Sequence, residues 1–311
     1  VGNPVLSPEG DWVAYTVRET DLEDDSSETR IWMVPTAGGE PLPMTGVGSS
    51  ASDPAWSPDG RYLTFLASRN DGETQVWALD RRGGEASALT EIEQGVSGYR
   101  WSPDSQKLAL LIRDAEEDDD EEDKPEPWVI DRLQFKRDYA GYLDRRRTHL
   151  YVQDMGSGEV TQLTSGDYDD SQPAWSPDSE LIAFTSNRTS EPDSNSNRDI
   201  WVVSADSPDS GGTLLQVTTN PGSDSSPAWS PDGEYITYVT VTEPDLIWYA
   251  TGHLGITPAS GGSARVLTSR LDRNVSSPSF APNGDDILFV LEDSGERHLA
   301  SIDRSGEGFD D

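Results

Sequence analysis

The stretch Asp53-Pro54-Ala55-Trp56-Ser57-Pro58-Asp59-Gly60 reads as a short strand running into a tight turn, and the chain repeats it. Its Ser-Pro pair returns at Ser7-Pro8, Ser57-Pro58, Ser102-Pro103, Ser176-Pro177 and Ser230-Pro231, with Ala281-Pro282 as a worn sixth copy. Pro presets φ at the second turn position and Gly takes the fourth, as a type I turn prefers. Arg61 to Ala67 follows as a largely apolar strand suited to burial on both faces. Gln75 to Asp80 is a third strand, Arg82-Gly83-Gly84-Glu85 turns the chain, and Ala86 to Thr90 is a fourth. The Gly-Gly pairs at 38–39, 83–84, 211–212 and 261–262 are hairpin turns that need positive φ.

Successive copies lie 50, 45, 74, 54 and 51 residues apart. A period near 50 built from four short strands is the signature of a β-propeller blade. The expected fold is therefore all-β, one propeller domain over residues 1–311, with blades starting near residues 4, 54, 98, 172, 226 and 277. The third and fourth strands recur at Ile31 to Val34 with Met44-Thr45, and at His149 to Val152 with Leu163-Thr164. They return at Ile200 to Val203 with Val217-Thr218, and at Leu254 to Thr257 with Leu267-Thr268. The sixth unit runs out after about three strands, at Leu299 to Ile302. Because a blade needs neighbours to bury its faces, the ring is expected to be incomplete here, with a seven-bladed parent preferred and six blades the alternative. Trp56, Trp101, Trp175, Trp229 and Phe280, at the end of each first strand, are expected to pack between adjacent blades rather than on a ligand.

Composition excludes several functions. There are 58 Asp plus Glu against 23 Lys plus Arg, a formal charge of −35. Phosphate recognition needs clustered positive charge, so nucleic acid is not an expected partner, nor is an anionic membrane. No run approaches the ~18 apolar residues of a spanning helix, and no export signal opens the chain. Without Cys there are no disulfides, thiolate metal sites or cysteine nucleophile, and three scattered His leave no metal cluster and no cofactor site. The acidic excess spreads along the whole chain and destabilises a compact state by self-repulsion. Salt screens that repulsion, so a high-salt cytoplasm is the expected setting. Both ends, Val1-Gly2-Asn3-Pro4 and Gly308-Phe309-Asp310-Asp311, read as cuts in a longer polypeptide.

The long spacing holds an insertion, residues 114–147, between the second and third strands of blade three. Its first half is the acid run Glu116 to Asp123, a solvated block of like charge with no Gly to shape a calcium loop. Its second half, Trp128 to Arg147, interleaves basic and aromatic residues. Arg suits bidentate carboxylate recognition, and Tyr or Phe give apolar walls. Arg132, Lys136, Arg137 and Tyr142 are the candidate peptide-binding residues. The competing reading is a structural flap whose arginines neutralise nearby acids. Asp193-Ser194-Asn195-Ser196-Asn197 imitates the opening of a calcium loop, but Arg198 and Ser204 stand where Gly and Glu belong, so a solvated loop is expected.

Ile130 to Asp138, followed by Gly141-Tyr142 and Arg147 to Val152, resembles the propeller of acylaminoacyl-peptidase-like members of the prolyl oligopeptidase family of serine peptidases. The Trp-Ser-Pro-Asp-Gly units are less specific, since TolB-like propellers of the Tol system carry them too. The resemblance covers essentially the whole chain but only the propeller half of such an enzyme. It implies an α/β-hydrolase domain downstream, a propeller that limits entry to short peptides, and no catalytic residue within these 311 positions. A nucleophile elbow needs Gly-x-Ser-x-Gly; Gly95-Val96-Ser97-Gly98-Tyr99 has Tyr in the last place and precedes a strand. The alternative function is a stand-alone TolB-like scaffold for a protein partner.

Overall fold

The computed structural model describes residues 1–48, 50–69, 72–116, 129–138, 141–206 and 214–306. The acid run beyond Glu116, Trp128, Tyr139-Ala140 and the Gly211-Gly212 turn lie outside these residues.

Four short strands repeat in meander order. The first sheet is β1 (Gly2–Leu6), β2 (Trp12–Asp21), β3 (Ser26–Pro35) and β4 (Leu42–Pro43). The second is β5 (Ala51–Trp56), β6 (Tyr62–Ala67), β7 (Gln75–Asp80) and β8 (Ser87–Ala88). The third has β9 (Gly98–Trp101) and β10 (Lys107–Arg113), then the insertion with β11 (Lys136–Arg137) and β12 (Gly141–Tyr142), then β13 (Thr148–Asp154) and β14 (Val160–Gln162). The fourth is β15 (Asp170–Trp175), β16 (Leu181–Ser186), β17 (Asp199–Ser204) and β18 (Leu215–Gln216). The fifth is β19 (Asp224–Trp229), β20 (Tyr235–Val241), β21 (Gly252–Pro258) and β22 (Arg265–Val266). The sixth has three strands, β23 (Val275–Phe280), β24 (Asp286–Asp293) and β25 (Glu296–Asp303).

The repeated residues explain why the sheets repeat. In the turn after each of the second to fifth first strands, Ser donates its Oγ hydrogen to the Asp two residues on, at 2.5–2.6 Å. The same Oγ accepts the amide five residues ahead, as at Tyr62, Lys107, Leu181 and Tyr235. The turn's Gly sits at φ 70 in the second blade and φ 73 in the fifth. In blade six Ala281 has no hydroxyl, and Asn283 bonds Asp286 instead. The other fixed element is the Thr after each fourth strand: Thr45, Thr90, Thr164, Thr218 and Thr268 accept the third-strand amides of Ile31, Val76, Leu150, Ile200 and Leu254. Each removes one orphan from a short pairing that backbone bonds alone leave incomplete.

By contacts the chain forms two compact units, Val1–Arg113 with Tyr151–Val160, and Asp114–Leu150 with Thr161–Asp311. In the first, Ile31, Trp56, Leu63 and Phe65 share one apolar cluster, and Val76, Tyr99, Leu108 and Leu110 another. In the second, Ile200, Val202, Ile236 and Tyr238 form one and Leu254, Ile256, Ile287 and Phe289 another. Trp56, Trp101 and Trp229 lie between adjacent sheets as expected. Trp56 donates to Val5 O, Trp101 to Thr64 Oγ1 and Trp229 to Ala174 O, each on the preceding blade.

Candidate functional site

The insertion leaves β10 and returns into β13, and its described part is anchored by arginine. Arg132 pairs with Asp167 and, at 2.9 Å, with Asp193. Arg147 reaches Asp167 at 2.8 Å and Asp169 at 3.3 Å. Burial works against ionisation of Asp167, but hydrogen bonds from Arg147 and Arg132 outweigh it and hold the carboxyl below its ordinary range. Arg146 binds Asp144 and Glu116, and Arg145 binds Asp131. Gln134 donates to Asp193 O at 3.3 Å. Asp193 stands in a single 3-10 turn, Pro192–Ser194, so the loop that imitates a calcium site receives the flap instead.

Beyond the anchor a two-residue hairpin projects. Lys136 faces Tyr142 and Arg137 faces Gly141, which adopts φ 77. Leu143 N donates to Phe135 O, the Phe135 and Tyr142 rings stack with centroids 6.4 Å apart, and the Lys136 ammonium lies 5.9 Å from the Tyr142 ring centre. Lys136, Arg137 and Tyr142 are all exposed. The four candidate residues therefore divide: Arg132 is committed to holding the flap, while the other three are exposed on the hairpin, Lys136 beside its cross-strand partner Tyr142 and Arg137 one residue further along the strand. Arg137 makes no ion pair among the described residues.

Two features escaped the sequence reading. The connection between β20 and β21 forms a 3-10 segment, Pro244–Tyr249, with Ile247 at φ 53. It displays Leu246, Ile247, Trp248 and Tyr249 to solvent, Trp248 92 % and Tyr249 88 % exposed. The other is a pair of buried acids, Asp170 and Asp224, each opening the first strand of its blade. The corresponding positions, five before the turn aromatic, hold Ala51, Val96 and Val275, so lining up the repeats exposes the departure.

No triad geometry is present among the described residues. Gly98 and Tyr99 lie on β9, with no helix after Ser97, and His149, His253 and His298 lie within strands. Nor do three or more His, Asp or Glu gather as metal ligands among the described residues.

Repeated four-stranded meanders joined through their turn aromatics define a β-propeller. The chain belongs to the TolB beta propeller domain family, whose model matches residues 142–308, just over half of its length. It is 36 % identical over 209 residues to the uncharacterized peptidase YuxL of Bacillus subtilis, covering 65 % of this chain and 32 % of that protein. It is 26 % identical over 324 residues to dipeptidyl-peptidase 5 of Porphyromonas gingivalis, covering 97 % of this chain and 46 % of that one. The chain thus spans less than half the length of these two curated relatives. The acylaminoacyl peptidase of Pyrococcus horikoshii superposes with a TM-score of 0.71 at 20 % identity, over 97 % of this chain and 44 % of that one. The resemblance drawn from Ile130 to Val152 points to the same group of proteins.

Proposed function

We propose that this chain is the non-catalytic propeller portion of a serine peptidase of acylaminoacyl- or dipeptidyl-peptidase type, which limits the peptides that reach a hydrolase domain. The supporting observation is the coverage: peptidase relatives match along the chain, yet it accounts for under half of each. The exposed Leu246–Tyr249 segment supplies apolar surface of the kind a second domain covers. The hairpin offers Lys136 and Arg137 to a peptide carboxylate and Tyr142 to an apolar side chain. A fourth strand beyond Asp303 would complete the three-stranded sixth sheet, and further strands would make a seventh blade. The acidic surface fits a salt-rich cytoplasm.

The test is to assay short acylated and dipeptidyl chromogenic peptides with this chain and with the product of its whole reading frame. The expected result is turnover by the longer product alone, abolished by a serine-directed phosphonate. Phosphonate-sensitive turnover by the 311-residue chain itself would overturn the reading. The second reading, a scaffold for a protein partner, is favoured by the family model, which describes a TolB propeller. A reading frame that ends without a hydrolase domain and opens with an export signal would support it.

A further inference from the structure

Neighbouring blades treat the same buried acid differently. Asp170 pairs across its sheet with Ser186, and two residues beyond that partner stands Arg188. Its Nη2 donates to both oxygens of Asp170, at 2.9 and 3.2 Å. The guanidinium also lies against the Tyr168, Phe184 and Trp201 rings. His149, just before the amide that Thr164 accepts, brings Nδ1 to 3.7 Å from Asp170. A buried carboxylate is thus matched by a fixed cation, as burial of charge requires.

Blade five keeps the frame and changes the occupants. Asp224 pairs with Thr240, and two residues beyond stands Thr242 instead of an arginine. The residue before the amide that Thr218 accepts, the place of His149, is Asp199. The guanidinium that balances Asp170 is therefore gone, and the place of the neighbouring His149 has become a second acid. Asp224 is 0 % exposed, and neither of its oxygens receives a hydrogen bond among the described residues. The Thr218, Thr240 and Asn220 side chains lie near enough to offset part of the cost of burial by weak hydrogen bonding, though none reaches full hydrogen-bond geometry. The Asn220 amide nitrogen is directed to Gly222 O, Thr240 Oγ1 and Val241 O. Asp199 accepts bonds from Gln216 Nε2 at 2.9 Å and from Thr218 Oγ1 at 3.4 Å. Burial pushes both carboxyls up to about 6, and at Asp224 the charge of Asp199 adds to the rise. Hydroxyl and carboxylate oxygens around an unpartnered buried anion form a donor set for a hard cation.

We propose that Asp224 binds a small monovalent cation, Na⁺ or K⁺, with Asp199 and the Thr218 and Thr240 hydroxyls contributing oxygens, in the role that the Arg188 guanidinium fills for Asp170. Single charge fits the guanidinium replaced, and among the described residues no third acid or His joins the pair as a divalent site would gather. The ion is part of the blade four to blade five junction, so the chain itself is the sample.

The experiment melts the chain at one fixed ionic strength in NaCl, KCl or tetramethylammonium chloride, whose cation is too large for the site. The wild-type midpoint is expected to stand about 2–6 °C higher in the small cations, as ligand linkage to the folded state predicts. Asp224→Asn should erase that difference, and so should Thr242→Arg, which restores the guanidinium of blade four. If Asp224→Asn does not fold, Thr242→Arg decides alone. No difference in the wild type, a difference that survives in Thr242→Arg, or a gain with Ca²⁺ or Mg²⁺ only would each overturn the proposal.

Discussion

Arg132 and Asp193, 61 residues apart in the sequence, meet at 2.9 Å and fasten the insertion to the connection between β16 and β17. Both side chains are largely shielded, and Arg132 also holds Asp167, so the pair works within a network rather than as an isolated surface contact. The flap is kept near blade four by charge, while its secondary structure among the described residues is the hairpin β11–β12.

Arg132→Ala should therefore free the flap without unfolding the blades. Hydrogen exchange at the amide of Leu143, which donates to Phe135 O, is expected to accelerate severalfold, whereas amides in β16 keep their protection. A double-mutant cycle of Arg132→Ala with Asp193→Ala should give a coupling of about 0.5–1 kcal/mol. Zero coupling would show that the two side chains do not act together.

Salt should stabilise this protein. With 58 acids against 23 basic residues, like charges crowd the folded surface more than the expanded chain. Screening contracts from roughly 10 Å at 0.1 M to roughly 3 Å at 1 M. The melting midpoint should climb across that range in KCl, and a flat or falling midpoint would remove the high-salt setting from the account.

Thr90 accepts the amide of Val76 at 2.9 Å and donates to Gln75 Oε1 at 2.7 Å, with the hydroxyl buried. Thr90→Val keeps the shape and deletes both bonds. A buried amide left without its acceptor costs about 1–3 kcal/mol, so the melting midpoint of the variant should fall by several degrees. Thr90→Ser, which keeps the oxygen, should lose less.

Much of this was legible from the primary structure because it repeats. The Ser-Pro-Asp-Gly turns, the strand order and the inter-blade place of the tryptophans all follow from one local pattern read several times. Thr90 could be placed at the end of a fourth strand, but not as the acceptor for Val76, because that bond depends on how the two strands are registered. Asp193 was misleading in the other direction. Its neighbours imitate a metal loop, and only the fold brings Arg132 to it. The exposed Trp248 was equally unreadable, since an aromatic in this chain is elsewhere a packing residue.

Blade five makes a sharper test of repeat logic. Gly255 occupies the third-strand place held by Trp32, Trp77, Tyr151 and Trp201, and it faces Tyr238 across the sheet. A Cβ on Gly255 would lie 2.6–3.0 Å from three atoms of the Tyr238 ring, which is fully buried. Tyr238 has filled the space that the aromatic takes elsewhere. Gly255→Ala should cost about 1–3 kcal/mol by overpacking, and Gly255→Trp, the change toward the repeat, should destabilise more. Gly255→Ala combined with Tyr238→Leu should recover part of the loss, which equilibrium urea melts can measure.

The exposed hairpin yields the last prediction, which rests on the peptidase reading. Arg137 pairs in register with Gly141 at the hairpin end and makes no ion pair among the described residues, while Tyr142 stacks on Phe135. If this face receives the charged end of a peptide, its contacts exist before and during the reaction alike, because the reacting atoms lie on another domain. Such uniform binding alters KM and leaves kcat in place. In the longer gene product, Arg137→Ala should raise KM for short peptides with a free carboxylate about tenfold, the value of one charge-assisted hydrogen bond at about 1.4 kcal/mol. Amidated peptides should show little change, and Arg137→Lys should fall between. Equal effects on free and amidated peptides would assign Arg137 to the fold of the flap, and a loss confined to kcat would place it nearer the chemistry than the hairpin allows.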